Sequence, residues 1–107
     1  MTYSLERHGD HAGDAGKMSK TFLTDGKGKF LRDKDGNVLE GDGTPVLGAI
    51  VQVGSFYART YEPQDWWVTT PVQEIISDEI IEDGDLGSVR KIVFRTRNSV
   101  YTWRQWG

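Results

Sequence analysis

The sequence contains no cysteine among its 107 residues, and only three prolines and two histidines. Without cysteine, the chain cannot form disulfides, thiolate zinc sites, iron–sulfur clusters or a cysteine nucleophile. No stretch approaches the roughly 18 apolar residues of a membrane span, and residues 1–20 lack the apolar segment of a secretory signal. We therefore expect a protein of the cytoplasm, or of a particle assembled there, with no membrane contact.

The sequence offers few residues for catalysis. Both histidines, His8 and His11, lie near the N-terminus in a glycine-rich polar segment, so a Ser-His-Asp arrangement on a rigid domain is not expected. The glycines of GKGK at 26–29 match neither phosphate-binding spacing. Carboxylates are numerous, but a chain this small offers only a shallow cleft for an acidic pair. We predict that the protein is not an enzyme.

Two segments resemble metal sites only superficially. His8, His11 and Asp14 lack a rigid support that would orient them around a metal ion. Asp33 to Asn37 has the oxygens of a calcium loop, but Val38 stands where an EF-hand loop that starts at Asp33 requires glycine. A hairpin turn accounts for this segment, and no metal or cofactor is predicted.

Charge is distributed unevenly along the chain. Net charge is −1 over residues 1–44, −7 over residues 45–89 and +5 over residues 90–107, which gives −3 overall. Two interpretations remain open. The acidic and basic stretches face each other across a sheet, where opposite charges favour pairing, or the last stretch forms a basic patch that attracts anions.

Hydrophobic alternation predicts an all-β chain in three parts. Residues 1–20 are expected to form a flexible polar arm, residues 21–44 a small β-ribbon that turns at Asp35-Gly36, and residues 45–107 the main domain. We expect strands at 48–61, 66–77 with a bend at Pro71, 89–97 and 100–106. A short helix within 72–81 is the alternative for that segment, and no internal repeat is predicted.

This number of short strands predicts a small β architecture. The first choice is an SH3-like barrel or an open β-sandwich with an extended N-terminal arm, and the second is an oligonucleotide-binding-type barrel. Deleting residues 1–20 should then leave the domain folded but weaken assembly.

Aromatic and arginine side chains concentrate in the second half of the chain, and this combination is typical of binding surfaces. Trp67 and Tyr101 are expected in the core, whereas Trp66 should face the other way, because neighbouring strand residues point to opposite faces. The predicted partner-binding residues are Tyr57, Arg59, Tyr61, Trp66, Arg95, Arg97, Trp103, Arg104 and Trp106.

The segments WWVTTPV at 66–72 and FRTRNSVY at 94–101 resemble a pattern found in small uncharacterised β proteins of bacteriophages and prophages. The resemblance covers residues 48–103, and no activity or site is attached to the pattern. It implies a phage product that acts in the host cytoplasm or on the virion.

The sequence therefore predicts a non-catalytic protein–protein interaction or assembly module, such as a phage structural or accessory protein. Its partner would be another protein or a second copy of itself. The alternative is a phage factor that binds nucleic acid or nucleotides and acts on host machinery, because basic residues alternate with aromatic ones near the C-terminus.

Overall fold

The computed structural model describes residues 1–55, 66–84 and 87–107, which contain eight β-strands and no helix. The strands are β1 (Thr2–Arg7), β2 (Gly13–Gly16), β3 (Met18–Leu23), β4 (Ala49–Gly54), β5 (Trp66–Val68), β6 (Glu74–Asp83), β7 (Gly87–Arg95) and β8 (Val100–Trp106). The all-β prediction is confirmed.

The strands form two antiparallel sheets. One has five strands in the order β2-β1-β8-β7-β6, and the other has three in the order β3-β4-β5. No strand pairing within the described ranges joins one sheet to the other, so a closed SH3-like barrel is not confirmed. The two sheets instead pack face to face as two layers around one core.

The core follows from alternation along the central strands. Residues 101 and 103 of β8 point inward with Ile92 and Phe94 of β7, and the second sheet contributes Val51 and Val53 of β4. The buried cluster consists of Leu5, Val51, Val53, Val72, Ile92, Phe94, Tyr101 and Trp103. Because these residues come from both sheets, burying their apolar surface holds the two layers together.

The structure corrects the expected flexible arm over residues 1–20. Strand β1 lies between β2 and β8 inside the larger sheet, with Thr2 opposite Trp106 and Arg7 opposite Tyr101. Leu5 is 2% exposed and belongs to the core cluster. The polar composition is misleading here because only one side of β1 is buried, and its pairing partner lies almost a full chain length away.

Residues 22–45 contain an eight-residue repeat that the sequence analysis missed. The three copies are FLTDGKGK at 22–29, FLRDKDGN at 30–37 and VLEGDGTP at 38–45; we call this segment the octad loop. The backbone N–H of Leu31 donates to the carbonyl of Leu23, that of Leu39 to Leu31, and that of Leu23 to Leu39, over 2.9–3.0 Å. The three copies therefore close a triangular ring.

Each edge of the ring is set by a turn. Asp25 and Asp33, at the fourth position of the first two copies, each accept two backbone N–H groups from their own turn. An antiparallel bridge joins Arg32 to Val38 across the second turn. The predicted turn at Asp35-Gly36 is thus confirmed, but within a ring rather than a ribbon.

The third copy attaches the ring to the smaller sheet. The N–H groups of Gly41 and Gly43 donate to the carbonyl and the hydroxyl of Thr21 on β3, and the hydroxyl of Ser19 donates to the Gly43 carbonyl. Gly43 has φ of 94°, and a Cβ there would lie 2.4 Å from the Ser19 carbonyl oxygen. Only glycine allows this close approach of the two backbones.

Elsewhere the local predictions agree best with the structure near the C-terminus. Strand β8 has the predicted bounds, β7 overlaps the strand expected at 89–97, and the Thr96 N–H donates to the Ser99 carbonyl across the turn between them. The single strand expected at 66–77 is wrong: β5 and β6 belong to different sheets, and Pro71 lies in the break between them. Of the strand expected at 48–61, β4 covers residues 49–54, and residues 56–61 lie outside the described residues. The segment considered as a short helix lies mostly in β6.

Candidate functional site

Trp103 was predicted to bind a partner, and the structure corrects this prediction. The side chain is fully buried, and its indole Nε1–H donates to the Ser19 hydroxyl over 3.0 Å. It points inward because it shares the inner face of β8 with Tyr101. Trp103 is therefore a core residue that links the two sheets.

Trp67 and Tyr101 lie in or against the core, as predicted. Tyr101 is buried, Trp67 is half-buried against the cluster, and the Trp67 indole N–H donates to the Tyr101 hydroxyl over 3.3 Å. The guanidinium of Arg7 lies 5.0 Å from the centre of the Trp67 ring, which is cation–π distance. This contact holds the end of β1 against the smaller sheet.

Asp10 fixes the Arg7 guanidinium with two hydrogen bonds, from Nε and from Nη2. These bonds lower the pKa of Asp10 below its ordinary value and raise that of Arg7, because each charged form is stabilised by the other. The ion pair therefore positions Arg7 over the Trp67 ring.

Five other predicted partner-binding residues lie wholly or partly at the surface. Arg104 and Trp106 are half-buried on the outer face of the larger sheet, the face turned away from the core. Arg95 and Arg97 are exposed at the turn between β7 and β8. Trp66 is half-buried on β5, on the side of that strand opposite to Trp67.

The outer face has an apolar row beside a charged one. In the apolar row Trp106 lies opposite Val89, and Val89 lies opposite Ile81. In the charged row Arg104 lies opposite Lys91, and Lys91 opposite Glu79. The sheet thus places the half-buried Trp106 beside the two cations Arg104 and Lys91.

Acidic β6 and basic β7 pair directly, as one of the two charge interpretations predicts. Arg90 contacts Asp78 at 2.8 Å, and Arg95 contacts Glu74 at 3.3 Å. The Arg90 guanidinium lowers the pKa of Asp78 by hydrogen bonding to its carboxylate. Much of the +5 charge of the last stretch is therefore compensated by a neighbouring strand.

Exposed large apolar side chains gather in two places. Five lie in or just after the octad loop: Phe30, Leu31, Leu39, Val46 and Leu47. Three lie on β6: Ile76, Ile80 and Ile81. The extreme cases are Leu47 at 65% and Ile80 at 68% exposure. We call these sets the loop patch and the edge patch.

A cleft of about 750 Å³ lies between the octad loop and the turn that joins β7 to β8. Three cations and three neutral polar side chains line it: Lys27, Arg95, Arg97, Thr70, Gln73 and Asn98. No carboxylate is among its lining residues. We call it the basic cleft.

The walls of the basic cleft are joined to one another. The Gln73 amide donates to the Gly26 carbonyl over 2.9 Å, and the Gln73 backbone N–H donates to the Arg95 carbonyl over 2.7 Å. The buried Thr96 closes the following turn through its bonds to the Ser99 carbonyl. Three segments distant in sequence are therefore held in fixed relation.

The two histidines are both in contact with other side chains. The His8 Nε2 lies 2.7 Å from the hydroxyl of Thr102 on β8, and the His11 Nδ1 lies 3.5 Å from a carboxylate oxygen of Glu6. Within the described ranges, no group of three His, Asp or Glu side chains could hold a metal ion.

Sequence reasoning found Arg95 and Arg97 but not the rest of the basic cleft. Tyr57, Arg59 and Tyr61 lie outside the described residues. Lys27, Thr70, Gln73 and Asn98 were missed because they come from separate segments, and no local pattern joins them. The only signal available was the recurrence of Phe-Leu or Val-Leu every eight residues, which places Gly26 to Gly28 in a turn of the ring.

No family model, curated protein or solved structure matches this chain. In the part of the chain that the structure describes, there is no helix of the length and apolarity needed to cross a bilayer.

Proposed function

We propose that this protein is a non-catalytic protein–protein interaction and assembly module, acting as a structural or accessory component of a phage particle. The observation that carries the proposal is the concentration of exposed apolar side chains in the loop patch and the edge patch. Exposed apolar side chains concentrated on a small domain are typical of interaction sites, and on β6 they lie on both faces, since Ile80 is paired with Arg90 and Ile81 with Val89. The phage setting depends on the sequence resemblance alone.

The edge patch lies on a strand with an open side. Strand β6 is last in the larger sheet, so one of its edges has no neighbouring strand among the described residues. It is ten residues long and carries Ile76, Ile80 and Ile81 exposed. Such an edge can accept an extended segment of a partner by backbone hydrogen bonding.

The loop patch supports the same function. The ring of the octad loop is closed by backbone hydrogen bonds, so its leucine side chains are not needed to hold it together. Leu31 and Leu39 nevertheless remain more than a third exposed. An apolar surface on a rigid ring loses little conformational entropy when it binds a partner.

Nucleic-acid binding is the second candidate, and the outer face favours it. Arg104 and Lys91 lie next to each other there, close to the half-buried Trp106. The ion pairs of Arg90 and Arg95 with β6 weigh against it, because they leave fewer cations to contact phosphates. Binding to nucleic acid would weaken steeply with salt.

Affinity capture from a lysate of the producing cells, with and without nuclease, tests both candidates. Ile80→Lys and Leu47→Lys each place a charge in one patch at a side chain that is largely solvent-exposed. We expect partners that survive nuclease and that one or both variants lose. Val68→Lys is the matched control, because Val68 is exposed outside both patches.

Two results would contradict the assembly proposal. One is recovery that disappears with nuclease and falls with salt, which would support nucleic acid. The other is recovery of the same partners by all three variants. Sedimentation velocity on each purified protein alone separates self-assembly from binding to another protein, because without a partner only self-assembly raises the sedimentation coefficient as the concentration rises.

A further inference from the structure

We propose that the basic cleft is a binding site for a small phosphate-bearing anion. The site is separate from the loop patch and the edge patch, so it goes beyond the proposed function. Its defining feature is the juxtaposition of Lys27 from the octad loop with Arg95 and Arg97 from the β7–β8 turn.

The first argument is charge. The chain as a whole has a net charge of −3, yet three cations and no carboxylate line this cleft. Within the described residues, Lys27 and Arg97 make no ion pair, whereas Arg95 makes one with Glu74 at the cleft edge. Asp25 is the other nearby carboxylate, and its oxygen is already held by the backbone N–H groups of Lys27 and Lys29. The backbone N–H of Lys27 and, to a smaller extent, its side-chain charge lower the pKa of Asp25, so part of that charge is offset there. The N–H donors of Arg97 and Lys27 remain available for an anion.

The second argument is the supply of hydrogen-bond donors. Arg97 presents a planar fork of N–H groups that suits phosphate oxygens, and Lys27 adds a point charge from the opposite wall. The Asn98 amide and the Thr70 hydroxyl also line the cleft. Charged and neutral donors on both walls can together satisfy several oxygens of one anion.

The third argument is rigidity. Gln73 ties the Gly26 carbonyl to the Arg95 carbonyl through its side-chain and backbone N–H groups, so the two walls cannot separate without breaking one of these bonds. Gly26 and Gly28, which line the cleft, both have positive φ, and a Cβ at either position would meet no atom within 4 Å. A site whose walls are already fixed loses less freedom when it binds.

The size and lining of the cleft narrow the ligand class. A volume of about 750 Å³ is more than a single phosphate fills and lies within the range of small-molecule sites. No aromatic side chain is among the lining residues, so a nucleobase finds no ring to stack on. A compact anion with two phosphate groups fits this chemistry better than a nucleotide.

Calorimetric titration at constant ionic strength tests the proposal, with inorganic phosphate, pyrophosphate and a nucleoside monophosphate as separate probes. Amide chemical shifts of the full chain locate any binding. We expect saturable binding that is tightest for pyrophosphate, with shifts at Gly26, Gly28 and Asn98. Arg97→Gln and Lys27→Gln should each weaken it about tenfold, as expected for loss of one charge-assisted contact.

Lys34→Gln is the matched control, because Lys34 is an exposed lysine in the second turn of the same loop and does not line the cleft. Its affinity should equal that of the unchanged protein. Non-saturating shifts spread over many surface lysines, or equal affinity in Arg97→Gln and Lys34→Gln, would overturn the proposal. A nucleoside monophosphate that binds much more tightly than pyrophosphate would also overturn it, because the base would then be recognised.

Discussion

Replacing Leu5 with alanine tests whether the N-terminal segment belongs to the core. Leu5 is 2% exposed and lies on β1 opposite Trp103. A buried leucine truncated to alanine loses both transfer free energy and packing, so we expect Leu5→Ala to lower the free energy of unfolding by about 3 kcal/mol. For a domain of this size, that loss lowers the melting temperature by roughly 10–20 °C.

Urea unfolding followed by tryptophan fluorescence measures this change, since Trp103 is fully buried and opposite the altered residue. Leu31→Ala is the control, because Leu31 is 41% exposed on the octad loop and should cost less than about 1 kcal/mol. Deletion of residues 1–20 removes β1, β2 and the first half of β3, and we expect the truncated chain not to fold. Equal stabilities of the two leucine variants, or a folded and stable truncation, would refute the placement of β1.

Two further perturbations test the Arg7–Asp10 ion pair and the attachment of the octad loop to β3. Arg7 lowers the pKa of Asp10 in the folded state. The pair therefore stabilises the fold fully at pH values above the pKa that Asp10 has in the unfolded chain, and this stabilisation is lost as the pH falls and Asp10 becomes protonated. Asp10→Asn should therefore flatten the decline in urea midpoint between about pH 4 and pH 2, and an unchanged slope would contradict the assignment. Gly43→Ala forces a Cβ against the Ser19 carbonyl and should cost at least about 2 kcal/mol, whereas Gly36→Ala, also at positive φ but in open space, should cost about 1 kcal/mol. Thermal melts that rank the two glycine variants in the opposite order would show that the ring attaches to β3 differently.

The elements predicted correctly are those whose pattern and partner are both local. Strands β7 and β8 alternate strongly and are joined by a short turn at Arg97-Asn98, so their pairing requires no distant information. The break at Pro71 was equally local, because proline lacks the N–H that a central strand needs.

The elements that were missed depend on distant partners. Strand β1 is polar by composition, and its place in the sheet is set by β8, almost a hundred residues later. The eight-residue repeat of the octad loop was missed because its copies are short and only the leucine is the same in all three.

The candidate site was predictable only in part for the same reason. Arg95, Arg104 and Trp106 alternate along two neighbouring strands, so their exposure on one face followed from strand periodicity. Trp103 obeys the same alternation and is buried for that reason, which composition alone did not reveal. Lys27 enters the basic cleft through the ring, and its position depends on a bond from Gln73.

The closed ring of the octad loop has a consequence for how the sequence can vary. Leu23, Leu31 and Leu39 meet through backbone groups alone, whereas Asp25 and Asp33 in the turns between them hold those turns by side-chain bonds to the backbone. The second turn touches neither the smaller sheet nor the basic cleft in the contacts described, whereas the first lines the cleft and the third anchors to Thr21 and Ser19. The loop thus resembles a display scaffold with one anchored corner and one free corner. We expect exchanges of whole eight-residue units to be tolerated at the second corner, whereas a gain or loss of one or two residues there would break the ring.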